Sequence, residues 1–176
     1  MPNFRGSMEE KRRLFAGTLM SVLMYGAPVW ADDIGSNKEI QTILRRTQKN
    51  IAGRIACTYK TVAYEATMLL ATMIPADILA IKYKNLYLRI KDLRNRGIGI
   101  SEKAKDILKT QASSHAVASW KRKCERRGGY GRRVREMIAL KLEEWYQRKV
   151  GRVTFHMTQI ISGHGCFSSY LYKINS

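Results

Sequence analysis

Apolar residues recurring at helical spacing along the whole chain, the lack of any stretch with strand alternation, and Gly or Pro breaks between the periodic runs together predict an all-α, multi-helix protein. No internal repeat or low-complexity linker interrupts this pattern. With 176 residues, 45% of them hydrophobic and 26% charged, the chain has an ordinary globular balance, enough for one domain or two small ones around a buried core.

The elements follow in order. Ser7-Met8-Glu9-Glu10 has the form of a capping box, and Phe15, Leu19, Val22 and Tyr25 then recur every three or four residues. A helix to about Gly26 is expected, its wide apolar face largely buried. Leu14 to Trp30 is the one long apolar run, and Ala27-Pro28-Val29-Trp30-Ala31 after Lys11-Arg12-Arg13 has the outline of a signal peptide. Against that reading, Glu9 and Glu10 precede the basic cluster, Pro28 interrupts the end, and the run extends only about 25 Å as a helix, short of a bilayer core of about 30 Å. The expectation is an intracellular chain, neither secreted nor membrane-spanning.

Asp32 to Asn37 reads as a loop. Ile40, Ile43, Leu44, Thr47, Ile51 and Ile55 then define a helix with Arg45, Arg46, Lys49 and Arg54 off its stripe, so it has one apolar and one basic side. Thr61 is placed to cap a short helix through about Thr72. Pro75 sits where another helix begins, with Asp77 in its first turn, and that helix runs toward the stop at Arg94-Asn95-Arg96-Gly97. Ser101-Glu102 reopens a helical pattern past Trp120, broken by Gly128-Gly129-Tyr130-Gly131. From about Arg132 a further amphipathic helix presents Val134, Ile138, Leu142 and Trp145 and ends before Gly151. The tail from Val153 mixes a short helical pattern with Gly163-His164-Gly165.

The charge sets the function class. Lys plus Arg number 32 against 14 Asp plus Glu, a net charge of +18, so polyanions are the expected partners. Aromatic residues interleaved with cations at Tyr59-Lys60, Tyr83-Lys84, Trp120-Lys121-Arg122 and Trp145-Tyr146-Gln147-Arg148 favour nucleic acid, because bases stack on them. The plain alternative is that long basic stems cover aromatic core edges on solvated helix faces. The Gly128 to Gly131 turn is flanked by Lys121-Arg122-Lys123, Arg126-Arg127 and Arg132-Arg133, which suits phosphate contact with Tyr130 stacking on a base; a simple hinge is the competing reading.

The sequence also excludes chemistry. Asp32-Asp33 lacks the strand, turn and strand that place paired aspartates beside two metal ions in a polymerase palm, and reads as a loop or cap. His115, His156 and His164 stand far apart, without Cys or carboxylate at ligand spacing, and His164 reads as a helix-end cap. Cys57, Cys124 and Cys166 are odd in number and isolated, so neither a disulfide scaffold nor a zinc site is expected, in keeping with a reducing compartment. The Gly-rich turn lacks the Lys-Ser/Thr ending of a nucleotide-cradling loop.

Several stretches together resemble one family. They are Lys11-Arg12-Arg13-Leu14 with Ser21 to Ala31, Arg54-Ile55-Ala56 through Tyr59-Lys60-Thr61-Val62 and Glu65-Ala66, Ile74-Pro75 before Asp77-Ile78-Leu79-Ala80, and His156 to Phe167 with Tyr170-Leu171. In order and spacing they are similar to the Pol polyproteins of arthropod non-LTR, LINE-like retrotransposons, the group that includes elements inserted in ribosomal RNA genes. The likeness is strongest at both ends and thin from Gly97 to Lys123.

That resemblance implies a position after the fingers and palm: a thumb-like helical bundle over residues 1–96, then a basic helical linker over 97–176 leading toward a Cys-Cys-His-Cys zinc knuckle. For the parent protein it implies RNA-directed DNA polymerase activity beside an endonuclease, with Mg2+ at the polymerase site and zinc in the knuckle. The palm aspartates and the knuckle cysteines are not in this sequence, so no catalytic residue carries over and no cofactor is assigned to this chain.

The expected role is binding of template RNA or primer-template duplex. The candidate contacts are Lys11, Arg12, Arg13, Arg45, Arg46, Lys49, Arg54, Lys121, Arg122, Arg126, Arg127, Tyr130, Arg132 and Arg133. Expected partners are RNA, DNA and the remainder of the polyprotein, in a ribonucleoprotein of nucleus and cytoplasm. Two other readings use the same charge: a free-standing basic RNA-binding protein derived from such an element, and a protein of anionic membrane surfaces.

Overall fold

Glu9 and Glu10 open helix α1 (Glu9–Leu23) at the positive end of its dipole, and Glu9 also pairs with Arg13 one turn on at 2.7 Å. In this computed structural model residues 8–126, 128–148 and 153–165 are described, and among them there is helix, turn and loop but no strand. The all-α class predicted from periodicity is what the chain adopts.

Gly26, at φ 73°, reverses the chain into a single helical turn, α2 (Ala27–Trp30), whose Pro28 sits in the first turn where its missing N–H costs nothing. A second short turn, α3 (Asp33–Ser36), occupies the stretch expected to be loop. Helix α4 (Lys38–Ala56) starts where the Asn37 side chain accepts hydrogen bonds from the Glu39 and Ile40 amides at 2.9 and 3.1 Å. It stops at Cys57, which adopts the left-handed conformation.

Helix α5 (Tyr64–Ala71) is buried at every residue from Ala66 to Ala71, packed chiefly between α4 and α8. Pro75 precedes α6 (Ala76–Asn95), with Asp77 in the first turn and Gly97 beyond the end at φ 72°, as its start and stop signals indicate. Ser101 caps α7 (Glu102–Glu125) by accepting from the Ala104 amide at 3.2 Å. The expected single helix after Gly131 is two, α8 (Arg132–Ile138) and α9 (Leu142–Gln147), joined by a 3-10 turn at Ala139–Lys141. Helix α10 (Phe155–Ser162), capped by Thr154, closes the described part.

The main core gathers Met68, Leu69 and Leu70 of α5 with Ala52 and Ile55 of α4, Trp120 of α7, Val134 of α8 and Leu142 of α9, so it draws on residues both before and after Gly97. A second cluster joins Met20, Met24, Ala27, Ile34, Leu44 and Ala80. Between them lies one buried polar side chain that ties three segments: the Gln48 amide donates to the Ile74 carbonyl at 2.8 Å, and its oxygen accepts from the Ala76 amide at 2.8 Å and the Tyr64 hydroxyl at 2.7 Å.

Three expectations are corrected. The α1 face defined by Phe15, Leu19, Val22 and Tyr25 is not the buried one; Ala16, Met20 and Met24 pack inward, and Phe15 and Val22 remain 57% and 73% exposed. The reason is geometric: α1 is packed mainly against α4, and a small residue such as Ala16 lets two helix backbones approach where Phe15 does not. In α4 the inward stripe is Leu44, Gln48, Ala52 and Ile55, while Ile43 and Thr47 face solvent. Finally, α5 begins at Tyr64 with Ala63 as its N-cap rather than at Thr61. Ser7, the expected cap of α1, lies outside the described residues.

Among the described residues no single helix is long and apolar enough to cross a membrane; α5 and α6 together meet that length and composition but bend by 61° at the break.

Candidate nucleic-acid interface

The candidate cations fall into three groups according to what their helices let them touch. Arg13, Arg45 and Lys49 are held by the protein. Arg13 bridges Glu9 and donates to the Ala71 carbonyl at 2.9 Å and the Thr72 hydroxyl at 3.2 Å, a cation set against the C-terminal end of α5. Arg45 reaches Glu65 at 3.3 Å and lies 5.1 Å from the centre of the Tyr64 ring. Lys49 donates to the Lys60 carbonyl at 2.9 Å, so this edge of α4 fastens the α4–α5 connection.

Lys11, Arg12 and Arg54 form the second group, at a groove of about 790 Å3 between α1 and α4. None has an acidic partner among the described residues, and the Arg12 Nε is buried there without a hydrogen bond. Arg46 is exposed on the outer side of α4, likewise without an acid.

The third group surrounds the α7–α8 corner. Tyr130 stands 82% exposed on the Gly-rich turn, and Arg126 and Arg132 line a cavity of about 660 Å3 together with Gly128 and Gly129. Arg132 pairs with Glu136 at 2.6 Å, which holds its guanidinium above the usual range without burying it. Arg122 donates to the Ser119 hydroxyl at 3.1 Å, and Lys121 precedes it on the last turns of α7. Arg133 turns away toward α10: a Cβ at Gly163 would sit 3.1 Å from its Nη1. Arg127 lies outside the described residues.

Arg135 is the residue that sequence reading missed. Its guanidinium donates to the Cys124 carbonyl at 2.9 Å and to the carbonyls of Arg126 and Gly128, so one side chain closes the end of α7 and fixes the turn. Gly131 pins the other side of the turn: at φ 74° it approaches Ala66 so closely that a Cβ would fall 3.0 Å from the Ala66 Cβ. Nothing in the local pattern separates Arg135 from the arginines around it; only the backbone path makes it a clasp.

The aromatic and basic pairings divide the same way. Trp120 is buried in the core, Trp145 donates to the Leu69 carbonyl at 2.8 Å with the Arg148 guanidinium 3.5 Å above its ring, and the Gln159 amide donates to the Tyr59 hydroxyl at 2.9 Å. These are structural contacts, with basic stems over aromatic edges. Tyr83 is partly exposed on α6.

Asp32 pairs with Lys84, and among the described residues no three His, Cys, Asp or Glu side chains could hold a metal ion. The His164 Nδ1 lies 3.0 Å from the Ser162 carbonyl at the end of α10, and His115 is on the surface of α7. Cys57 and Cys124 are buried, and burial pushes the Cys124 thiol up to about 11; Cys166 lies outside the described residues.

No family model, no curated protein and no solved structure matches the chain.

Proposed function

We propose that the chain is a non-catalytic, RNA-handling part of a retrotransposon RNA-directed DNA polymerase, gripping the phosphates of template RNA or primer-template duplex at the α7–α8 corner. The observation that carries this reading is the exposed Tyr130 on a turn clasped by Arg135, with Arg126 and Arg132 around the adjoining cavity. A fixed turn presents a ring for stacking and cations for phosphates without an ordering cost at binding. The net charge of +18 supplies the long-range attraction. Arg46, Lys121 and Arg122 extend the basic surface along α4 and α7.

The proposal assigns no catalytic residue to this chain; Mg2+-dependent polymerisation and any zinc knuckle belong to other parts of the polyprotein, which works as a ribonucleoprotein in nucleus and cytoplasm. The test is fluorescence anisotropy with a labelled single-stranded RNA and with an RNA–DNA duplex. The double substitution Arg126→Ala/Tyr130→Ala removes only exposed side chains and is expected to weaken binding about tenfold or more. Unchanged affinity in this variant, with binding otherwise intact, moves the site elsewhere.

A second reading has one observation in its favour. The main core includes residues on both sides of Gly97, which supports a free-standing basic RNA-binding module that folds as one unit. A single cooperative melt supports that module; separate transitions for the two halves count against it.

A further inference from the structure

The groove between α1 and α4 is not explained by nucleic-acid binding. Ala16 shares a core cluster with Ala52 and Ile55, whereas Met20 and Met24 share one with Leu44, so the two helices run antiparallel. Lys11 and Arg12 of α1 therefore meet Arg54 of α4 at one end of the groove. The rest of its wall is mainly apolar, with Phe15, Leu19, Val22 and Leu23 of α1 and Ile51 of α4, interrupted on the α4 side by Thr47 and Asn50. From Arg12 to Leu23 the lining runs about 16 Å, some three helical turns.

We propose that this groove docks an amphipathic helix of a protein partner, one with an apolar stripe along its length and carboxylates gathered at one end. Each part of that description answers a feature of the groove. An apolar stripe matches Phe15, Leu19 and Val22, which are spaced four and three residues apart and left open to solvent. A helix satisfies its own backbone amides, so it lies on an apolar wall without losing hydrogen bonds; an extended peptide does not.

The carboxylates answer the cationic end. Arg12 lines that end with its Nε buried and without a hydrogen bond, so a carboxylate set against the guanidinium supplies charge compensation that its surroundings do not. Lys11 and Arg54 add charge that no acid among the described residues pairs with. A second copy of this chain is the poorer occupant, because it brings +18 toward a positive end. Nucleic acid is poorer also: beyond the three cations the wall is mostly Leu19, Val22, Leu23 and Ile51, with Thr47 and Asn50 its polar side chains and Phe15 the one ring for a base.

The experiment uses the full chain and a labelled synthetic helix of about five turns, with leucines at i, i+3, i+4 and i+7 spacing and glutamates confined to its first turns, in about 0.15 M salt. A peptide of the same composition in scrambled order is the control. Saturable one-to-one binding is expected, weakened about tenfold by scrambling, by Val22→Asp and by Arg12→Gln. Because Val22 is a surface residue, Val22→Asp leaves the melting temperature close to that of the parent chain.

Equal binding of the scrambled peptide reduces the effect to charge alone and overturns the proposal, as does unchanged binding in Val22→Asp. Loss of RNA affinity in Val22→Asp without loss of peptide binding gives the groove to nucleic acid instead. A concentration-dependent dimer that Val22→Asp abolishes gives it to a second copy. Because Arg126 and Tyr130 are untouched, failure here leaves the nucleic-acid reading standing, and failure of that reading leaves this one.

Discussion

Gln48 shows most plainly what a single residue does in this fold. It is fully buried, and its amide satisfies the Ile74 carbonyl, the Ala76 amide and the Tyr64 hydroxyl at the junction of α4, α5 and α6. Gln48→Leu keeps the volume but strands these partners, so we expect a loss of about 3 kcal/mol in urea denaturation. Tyr64→Phe removes one of the three bonds and costs about 1 kcal/mol.

Cys124 gives a pH test at the same scale. Burial raises its thiol from 9.0 to about 11, so the unfolded chain ionises first and stability attributable to the neutral thiol is lost as pH rises from about 9 through about 11. Cys124→Ser or Cys124→Ala removes that slope, and in the native parent chain at pH 8 the thiol reacts slowly with Ellman's reagent until denaturant is added. The burial of Gln48 was not legible in the sequence, because only the distant Ile74–Ala76 backbone makes it favourable.

Among the elements, the start and stop of α6, the start of α7 and the inward residues Val134, Ile138 and Leu142 were legible, whereas the buried face of α1 and the start of α5 were not. Pro75, Asp77, Gly97 and Ser101 mark α6 and α7 because caps and breaks are local chemistry, decided by a residue and its next few neighbours. The face a helix buries depends on what it meets, and α1, packed mainly against α4, turned Ala16 and Met20 inward and left its larger residues open. Gly128 to Gly131 was read correctly as a break, but its fixation by Arg135 depends on a backbone path no pattern reveals.

The glycines of this turn separate two costs. Gly128 has open space at φ 87°, so Gly128→Ala costs only the left-handed strain, about 1 kcal/mol. Gly131→Ala meets the Ala66 Cβ and amide besides a φ of 74°, and we expect a loss of about 2 to 4 kcal/mol and, with the turn displaced, weaker RNA binding. Equal losses for the two substitutions in chemical denaturation contradict this packing of the turn on α5.

For the whole molecule, the charge of +18 was the plainest signal in the sequence, and folding sorts the cations that make it up. Arg13, Arg45 and Lys49 fasten helices, Lys11, Arg12 and Arg54 rim a groove, and Arg126 and Arg132 stand around the α7–α8 corner. Composition reports the total but not this partition, because a Lys or Arg contributes the same charge wherever its stem leads. Phosphate gripping by such a surface releases counterions, so affinity for RNA must fall with salt. The phosphate grip is therefore read from the slope of log affinity against log salt concentration for a single-stranded RNA. We expect a slope of about −3 to −5, made shallower by Arg126→Ala; a slope near zero, or no RNA binding at low salt, rules the grip out.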